Sequence, residues 1–181
     1  GITEDANLVQ SFLPPSLDTE GRKTQPEWLF NFLNNPTMIR PNLQVRMPSF
    51  HMIDDEDWNK IIKYFQFKDN QTLAYEDSHK FYPESTQFKA GRIIQEIGEC
   101  RKCHFYGDKF PQQEAVTWAP NLALVKDRLR PEWVVDWLND PQEIMPGTKM
   151  PAPYIPTDDP LDSVRVYWGN DVAELYPNKD K

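Results

Sequence analysis

The stretch "ECRKCHF", residues 99–105, contains both cysteines of this 181-residue chain and one of its three histidines. Cys100 and Cys103 lie three positions apart, and His104 follows the second thiol directly. This spacing is compatible with a dithiol redox pair, with half of a zinc site, or with the attachment point of a haem. The rest of the sequence discriminates among the three.

Two of these interpretations lack supporting residues. A structural zinc site needs four ligands, usually a second close pair, but the other histidines, His51 and His79, are isolated. A dithiol couple usually opens a helix that follows a strand. Here the preceding "QFKAGRIIQEIGE" (87–99) predicts a helix instead, with three isoleucines on one side.

The haem interpretation uses every residue of the motif. Cys100 and Cys103 would form thioethers to the two vinyl groups, and His104 would bind the iron as the proximal ligand. A second axial ligand is then needed, and Met150 in "PGTKMP" lies 46 positions after His104. Met145 in "IMPG" is the competing methionine, but no Gly-Thr loop precedes it. We therefore predict one covalent haem c with His104 and Met150 as iron ligands.

The segment from about Phe88 to Pro156 resembles the class I c-type cytochromes. The resemblance is carried by the helix ending in CRKCH, the "WAPNL" loop, the "RPEWVVDWLNDP" helix and the "PGTKMP" loop. It covers a little over a third of the chain. It implies an all-α, cytochrome c-like helical bundle around a covalent haem that transfers single electrons, and it implies an electron carrier rather than an enzyme.

The resemblance also implies roles for individual residues. Met150 would supply the distal sulfur, and the Pro120 carbonyl would accept a hydrogen bond from His104 Nδ1 and fix the ring. Basic and Trp side chains between the ligand loops commonly face the haem propionates in this family; Arg128 and Trp137 are our candidates, although the sequence does not single out one position. The positions available for that role are Arg128, Arg130, Trp133 and Trp137.

The first half of the chain repeats part of the second. "PPSLDTEGRKTQPEWLFNFLNNP" (14–36) matches "APNLALVKDRLRPEWVVDWLNDP" (119–141) at a constant offset of 105 positions, as from Pro26 to Pro131. Met47 corresponds to Met150 after a two-residue insertion, while the counterpart of His104 would fall before residue 1. We therefore predict a first unit (1–67), which is cytochrome c-like but lacks CxxCH and is degenerate or truncated.

A linker (68–87) and the haem-binding second unit (88–181) complete the predicted domain organisation. Met47 either ligates a second haem in a longer parent protein or lies packed or exposed. Met38 and Met52 are interpreted as core residues.

Two further helices are predicted after the methionine loops. "DDEDWNKIIKYFQF" (54–67) has acidic residues in its first turn and an apolar stripe, and "DDPLDSVRVYWGN" (158–170) is its weaker counterpart. Gly91 matches the small residue at which the first helix of the family crosses the last. We expect helix 54–67 to pack near Gly91 and partly cover the second unit.

Charge and hydropathy restrict the partners. The formal net charge is −8, and the acidic residues are spread along the chain, which argues against nucleic acid, since phosphate binding needs clustered Lys and Arg. Redox proteins with a basic docking face are expected as donors and acceptors. No apolar run approaches membrane-spanning length, so any membrane association would come from regions outside this chain. Haem attachment of this type occurs outside the cytoplasm, which predicts a periplasmic or other extracytoplasmic location.

With both axial positions filled, the iron has no open site for a substrate. The sequence thus predicts electron transfer, either as a shuttle or as the electron-transfer domain of a larger redox protein. The alternative is a haem enzyme or gas sensor in which Met150 is absent from the iron or displaceable. A thiol–disulfide protein is the third possibility, and visible spectra separate all three.

Overall fold

The computed structural model describes residues 14, 16–40, 46–71, 75, 86–114, 117–153, 165–166 and 169–170. Most of the predicted linker and of the predicted helix 158–170 lie outside these residues, as do His79 and the segment before Pro14. Residues 165–166 and 169–170 are helical.

The described residues are helical and contain isolated β-bridges but no strand, which confirms the all-α class for this part of the chain. The helices are α1 (Glu20–Lys23), α2 (Pro26–Asn34), α3 (Asp55–Lys68), α4 (Thr86–Ile97), α5 (Val125–Arg128), α6 (Pro131–Asn139) and α7 (Pro141–Ile144). Short 3-10 turns cover Cys100–Lys102 and Leu122–Leu124. Helices α2, α6 and α7 each begin with proline, whose fixed φ suits the first helical position.

Helix α3 forms the core of the first unit with α2. Asp54 caps α3, because its side chain accepts a hydrogen bond from the Asp57 amide, and the acidic first turn complements the helix dipole. Trp58 and Ile62, four positions apart, face one side and are 3% and 4% exposed. They pack against two buried leucines of α2, Leu29 and Leu33.

The expected position of helix 54–67 is wrong. Helix α3 packs against α1 and α2 of its own unit, and an added Cβ at Gly91 would meet no atom of the described residues within 4 Å. The close crossing occurs at Gly21, where an added Cβ would lie 2.1 Å from the Phe65 carbonyl oxygen. Only glycine allows this approach, and its amide also donates to Asp69 Oδ2 at 2.8 Å.

Two methionines interpreted as core residues lie on the surface. Met38 and Met52 are 54% and 84% exposed. The apolar positions of α2 and α3 fill this core instead, since each helix presents leucine, tryptophan or isoleucine at helical spacing.

The repeat recurs in the backbone. Helices α1 and α2 have the same bounds as α5 and α6 once the offset of 105 is applied. Between the two helices, Thr24 (φ −102°, ψ 149°) matches Leu129 (φ −102°, ψ 148°), and Gln25 (−73°, 135°) matches Arg130 (−78°, 134°). Thr24 and Leu129 also face each other in an antiparallel bridge. The two copies therefore meet at equivalent residues.

The bonds across this inter-unit junction (residues 23–25 and 128–130) are reciprocal. The Gln25 amide donates to the Arg128 carbonyl at 2.9 Å, and the Arg130 amide donates to the Lys23 carbonyl at 2.9 Å. The side chains repeat the exchange: Gln25 Nε2 donates to the Leu129 carbonyl at 2.8 Å, and Arg130 Nε donates to the Thr24 carbonyl at 3.0 Å. Each of these four bonds has a partner related by the offset, so this part of the junction has a local pseudo-two-fold axis, as an isologous dimer interface does; the further bond from Gln25 Nε2 to the Lys126 carbonyl has no such partner among the described residues.

Candidate haem-binding site

The two cysteines lie on one tight turn after α4. The helix ends at Ile97, and Glu99, with φ 52°, adopts the left-handed conformation that redirects the chain. The Cys100 carbonyl then accepts from the Cys103 amide at 3.4 Å and from the His104 amide at 3.0 Å. Because side chains three positions apart in a 3-10 turn lie above one another, the two thiols share one side.

The environment of Cys100 does not match that of a reactive dithiol. Both thiols are free and half-buried. Burial raises the pKa of Cys100, whereas the first cysteine of a redox CxxC pair needs a lowered pKa to attack as a thiolate. The segment before it is helix α4, as predicted, and not a strand. These observations disfavour the dithiol interpretation.

The ring of His104 is fixed by the proline carbonyl that the family resemblance implies. His104 Nδ1 lies 2.7 Å from the Pro120 carbonyl oxygen. A carbonyl can only accept, so Nδ1 carries the proton and Nε2 keeps a free lone pair. Burial also lowers the pKa of His104, opposed by the Pro120 hydrogen bond, which favours the neutral ring that a metal requires.

The "WAPNL" loop holds the segment of the second cysteine and the histidine in place. The Ala119 amide donates to the Cys103 carbonyl at 2.7 Å, and the Leu122 amide donates to the Phe105 carbonyl at 2.9 Å. These two bonds flank the His104–Pro120 contact. One backbone hydrogen bond on each side of His104 therefore holds the chain segment that carries the imidazole.

Asn121 attaches the next loop to this pairing. Its Oδ1 accepts from the Gly107 amide at 3.0 Å and from the Ala123 amide at 2.9 Å, and its Nδ2 donates to the Gly107 carbonyl at 2.7 Å. Gly107 has φ 65°, as its turn requires. Asn121 thus caps the 3-10 turn 122–124 and also holds the turn after Phe105.

An aromatic cluster beside His104 was not predicted from the sequence. Phe105, Phe110 and Trp118 have ring centroids 5.1–5.6 Å apart. Phe105 is buried and Phe110 remains 69% exposed. The sequence features that could have indicated this cluster are Phe105, directly after His104, and Trp118, directly before Ala119. The cluster packs beneath the chain segment that carries the imidazole.

Two predicted site residues, Trp137 and Met150, are in contact. Trp137 Nε1 lies 2.8 Å from Met150 Sδ, and the Trp137 ring stacks on Trp133 with centroids 5.1 Å apart. The competing Met145 ends α7, where its amide donates to the Pro141 carbonyl. The structure therefore places Met150, and not Met145, against a predicted haem-contacting side chain.

The donors in the second unit fit a group that carries carboxylates. Arg128 Nε and Trp133 Nε1 are buried and find no hydrogen-bond partner among the described residues. A buried donor without a partner costs on the order of 1–3 kcal/mol, so such atoms indicate a missing acceptor. Together with the paired thiols and the free His104 Nε2, these donors are compatible with a covalent haem and its two propionates.

The remaining predicted residues are placed as follows. Arg130 is 7% exposed and belongs to the inter-unit junction. Met47 is 39% exposed. Within the described part of the chain, no three His, Cys, Asp or Glu side chains come together as a metal site would require. Of the helices that the structure describes, none combines the length and apolarity that crossing a membrane demands.

A comparison with curated proteins found the following similarity. The chain is 33% identical over 85 residues to cytochrome c oxidase subunit 2 of Bacillus subtilis (strain 168). The match covers 42% of this chain and 24% of that protein, so the chain spans about a quarter of the length of this relative. No protein-family model and no solved structure matches. The similarity is thus to part of a cytochrome oxidase subunit, and it covers less than half of this chain.

Proposed function

We propose that this chain carries one covalent haem c, bound by Cys100 and Cys103, and transfers single electrons. It would do so as a shuttle or as the electron-transfer domain of a larger redox protein. The observation that carries the proposal is the fixed imidazole. His104 Nδ1 donates to the Pro120 carbonyl at 2.7 Å, and His104 itself follows directly after a turn that places both thiols on one side. The similarity to a cytochrome oxidase subunit supports the same redox class.

The protein residues would have the following roles. His104 Nε2 and Met150 Sδ would be the iron ligands, and the Pro120 carbonyl would keep the ring oriented and more basic as a ligand. Trp137 would hold the Met150 side chain, since the two are already in contact. A haem when bound supplies the one-electron chemistry, and a buried site with thioether ligation raises its potential.

This arrangement favours electron transfer over catalysis at the iron. His104 and Met150 would both hold the iron and leave no open site for a substrate, and the two backbone bonds that flank His104 would keep its ring in place. The site would lie outside the cytoplasm, where haem attachment takes place, and electrons would be exchanged with other redox proteins.

The test is intact mass and visible spectra of the full chain, expressed with a haem-attachment system. We expect the apo mass plus one haem, a six-coordinate low-spin spectrum, and the weak far-red band of sulfur bound to ferric iron. A double variant, Cys100→Ser with Cys103→Ser, is the control and should carry no covalent haem. A haem-free wild-type chain would contradict the proposal, and a high-spin spectrum that responds to carbon monoxide would indicate the enzyme or sensor instead.

A further inference from the structure

The first unit closes its core with side chains of its own helices. Leu29 and Leu33 of α2 and Trp58 and Ile62 of α3 are between 3% and 8% exposed. Burial of apolar surface is the main favourable term in folding, and protein atoms already cover these four side chains. The first unit can therefore build its core whether or not a haem is bound.

A short series of contacts leads from this core to the inter-unit junction. Asp69, directly after α3, accepts hydrogen bonds at Oδ2 from the amides of Gly21 and Arg22, at 2.8 and 3.2 Å. Helix α1 is thereby fixed to the end of α3. Thr24, directly after α1, is 2% exposed, and its carbonyl accepts from Arg130 Nε at 3.0 Å. Helix α1 thus connects the core of the first unit to the second unit.

Two cation–aromatic pairs strengthen the junction and repeat its symmetry. Lys23 Nζ lies 5.8 Å from the centre of the Trp133 ring, and the guanidinium carbon of Arg128 lies 5.2 Å from the centre of the Trp28 ring. The offset of 105 relates one pair to the other. Trp133 is 5% exposed, and a side chain of the first unit lies against it. The junction therefore joins side chains as well as backbones of the two helix pairs.

Helices α5 and α6 have less cover from their own unit. Val134 and Leu138 of α6 are only half-buried by the described residues. Helix α5 has four residues and α6 has nine. Isolated helices shorter than about 12 residues are marginal in water, so both depend on tertiary contacts. The inter-unit junction supplies such contacts without a cofactor.

We propose that the first unit is a folding template for the second. It folds around its own core and, through the inter-unit junction, holds α5 and α6 in place in the chain without haem. The unit that lacks CxxCH thereby has a role of its own, which goes beyond the proposed electron transfer and does not depend on it. The dependence runs in one direction, because α5 and α6 need the first unit and the first unit does not need them.

The first experiment measures amide hydrogen exchange by NMR in the full haem-free chain, in which both cysteines are replaced by serine. The reporters are two equivalent amides. The Leu29 amide donates to the Gln25 carbonyl at 3.0 Å, and the Val134 amide donates to the Arg130 carbonyl at 3.2 Å. We expect both to exchange at least about a hundredfold more slowly than in an unstructured chain. Exchange of Val134 at the rate of an unstructured chain, with Leu29 still protected, would overturn the proposal.

The second experiment weakens the junction in the same haem-free background. Arg130→Ala removes two side-chain hydrogen bonds to residues outside the second unit, at 3.0 and 3.2 Å. Each such bond changes an equilibrium by roughly fivefold, so Val134 should exchange at least about tenfold faster. Leu29, covered by α3, should stay within about twofold. Lys126→Ala is the matched control on α5, because Lys126 is exposed, and it should change neither amide more than about twofold. Equal exchange of Val134 in Arg130→Ala and in this control would overturn the proposal.

The third experiment tests the direction of the dependence. Leu33→Asp places a charge in the core of the first unit, where Leu33 is 8% exposed, and should remove the protection of both reporter amides. Leu138→Asp is the equivalent change in α6 and should leave Leu29 protected. Two results would overturn the proposal: a protected Val134 in a Leu33→Asp chain whose Leu29 has lost protection, or loss of Leu29 protection in Leu138→Asp.

The first two experiments use folded chains and decide the question if Leu33→Asp aggregates. Failure of the proposed function is distinct from failure of the folding template. It would appear as a wild-type chain without haem, whereas all three experiments use the haem-free chain.

Discussion

The helix pairs α1–α2 and α5–α6 have the same backbone but different surroundings. In the first unit, α2 is covered by α3, and Leu29 and Leu33 are 7% and 8% exposed. Their counterparts in α6, Val134 and Leu138, are only half-buried by the described residues. In the first unit, α3 thus covers the apolar face of α2. In the second unit, the proposed haem would cover the equivalent side chains of α6. If the proposed function holds, this difference would separate a structural unit from a cofactor-binding one.

The largest difference between the units should appear at their two equivalent methionines. Met150→Ala in the haem-loaded chain should abolish the far-red sulfur band completely and allow carbon monoxide to bind, because the distal ligand is removed. Met47→Ala is the matched control and should leave the visible spectrum unchanged, since Met47 is partly exposed and the first unit in this chain lacks the thiols. The measurement is the ferric and ferrous absorption spectrum. Loss of the sulfur band in Met47→Ala, with retention in Met150→Ala, would reverse the assignment.

The next effect concerns the helix that covers the first unit. Gly21→Ala would place a Cβ 2.1 Å from the Phe65 carbonyl oxygen, and backbone on both sides must then shift. We expect a loss of about 3 kcal/mol in the free energy of unfolding, as in severe overpacking. Lys126 occupies the equivalent position in the second unit and is exposed, so Lys126→Ala should change stability by less than about 0.5 kcal/mol.

Urea unfolding followed by tryptophan fluorescence measures both variants. Trp58 is buried at the centre of the affected core and contributes to this signal together with the other five tryptophans. Equal stability of the two variants would mean that α3 does not cross α1 at Gly21 in solution.

The contrast between the units also shows what the sequence can predict. Helix 54–67 was predicted within one residue of α3, because its apolar stripe and Asp54 cap are local signals. The family resemblance likewise implied the His104–Pro120 contact, which joins residues 16 positions apart and is fixed by one turn and one loop. The same resemblance implied the all-α class, and the locally predicted helices agree with it.

The partners of these elements were not predictable in the same way. An apolar stripe states that a face is buried but not against which helix, and the crossing of α3 over Gly21 depends on a glycine forty-four positions before Phe65. The repeat predicted two equal backbones, but not that Thr24 and Leu129 would face each other. The inter-unit junction joins residues of both units, so no local pattern marks it. Long-range placement of this kind arises from packing and is absent from sequence periodicity.

A smaller effect is expected at Asn121 and at its counterpart in the first unit, Ser16. Asn121→Ala removes three hydrogen bonds, two of them to Gly107, and should lower stability by about 2 kcal/mol. Its counterpart Ser16 is exposed, and its bond to the Asp18 amide resembles only the Asn121–Ala123 bond. Ser16→Ala should therefore cost less than half as much. Thermal unfolding of the two single variants decides this, and a larger effect at Ser16 would show that the loop at Gly107 does not depend on Asn121.

The smallest expected effect has opposite signs in the two units and concerns the residue before α1 and before α5. Thr19 has φ 65°, a conformation that is costly for a β-branched residue, whereas its counterpart Leu124 has φ −82°. Thr19→Gly should raise the free energy of unfolding by about 0.5 kcal/mol, because relief of this strain slightly exceeds the added chain entropy of glycine. Leu124→Gly should lower it, since no strain is relieved and a half-buried side chain is lost. Chemical denaturation of both variants measures the two changes in the free energy of unfolding. Destabilisation by Thr19→Gly would mean that Thr19 does not have a positive φ in solution and that its backbone resembles that of Leu124.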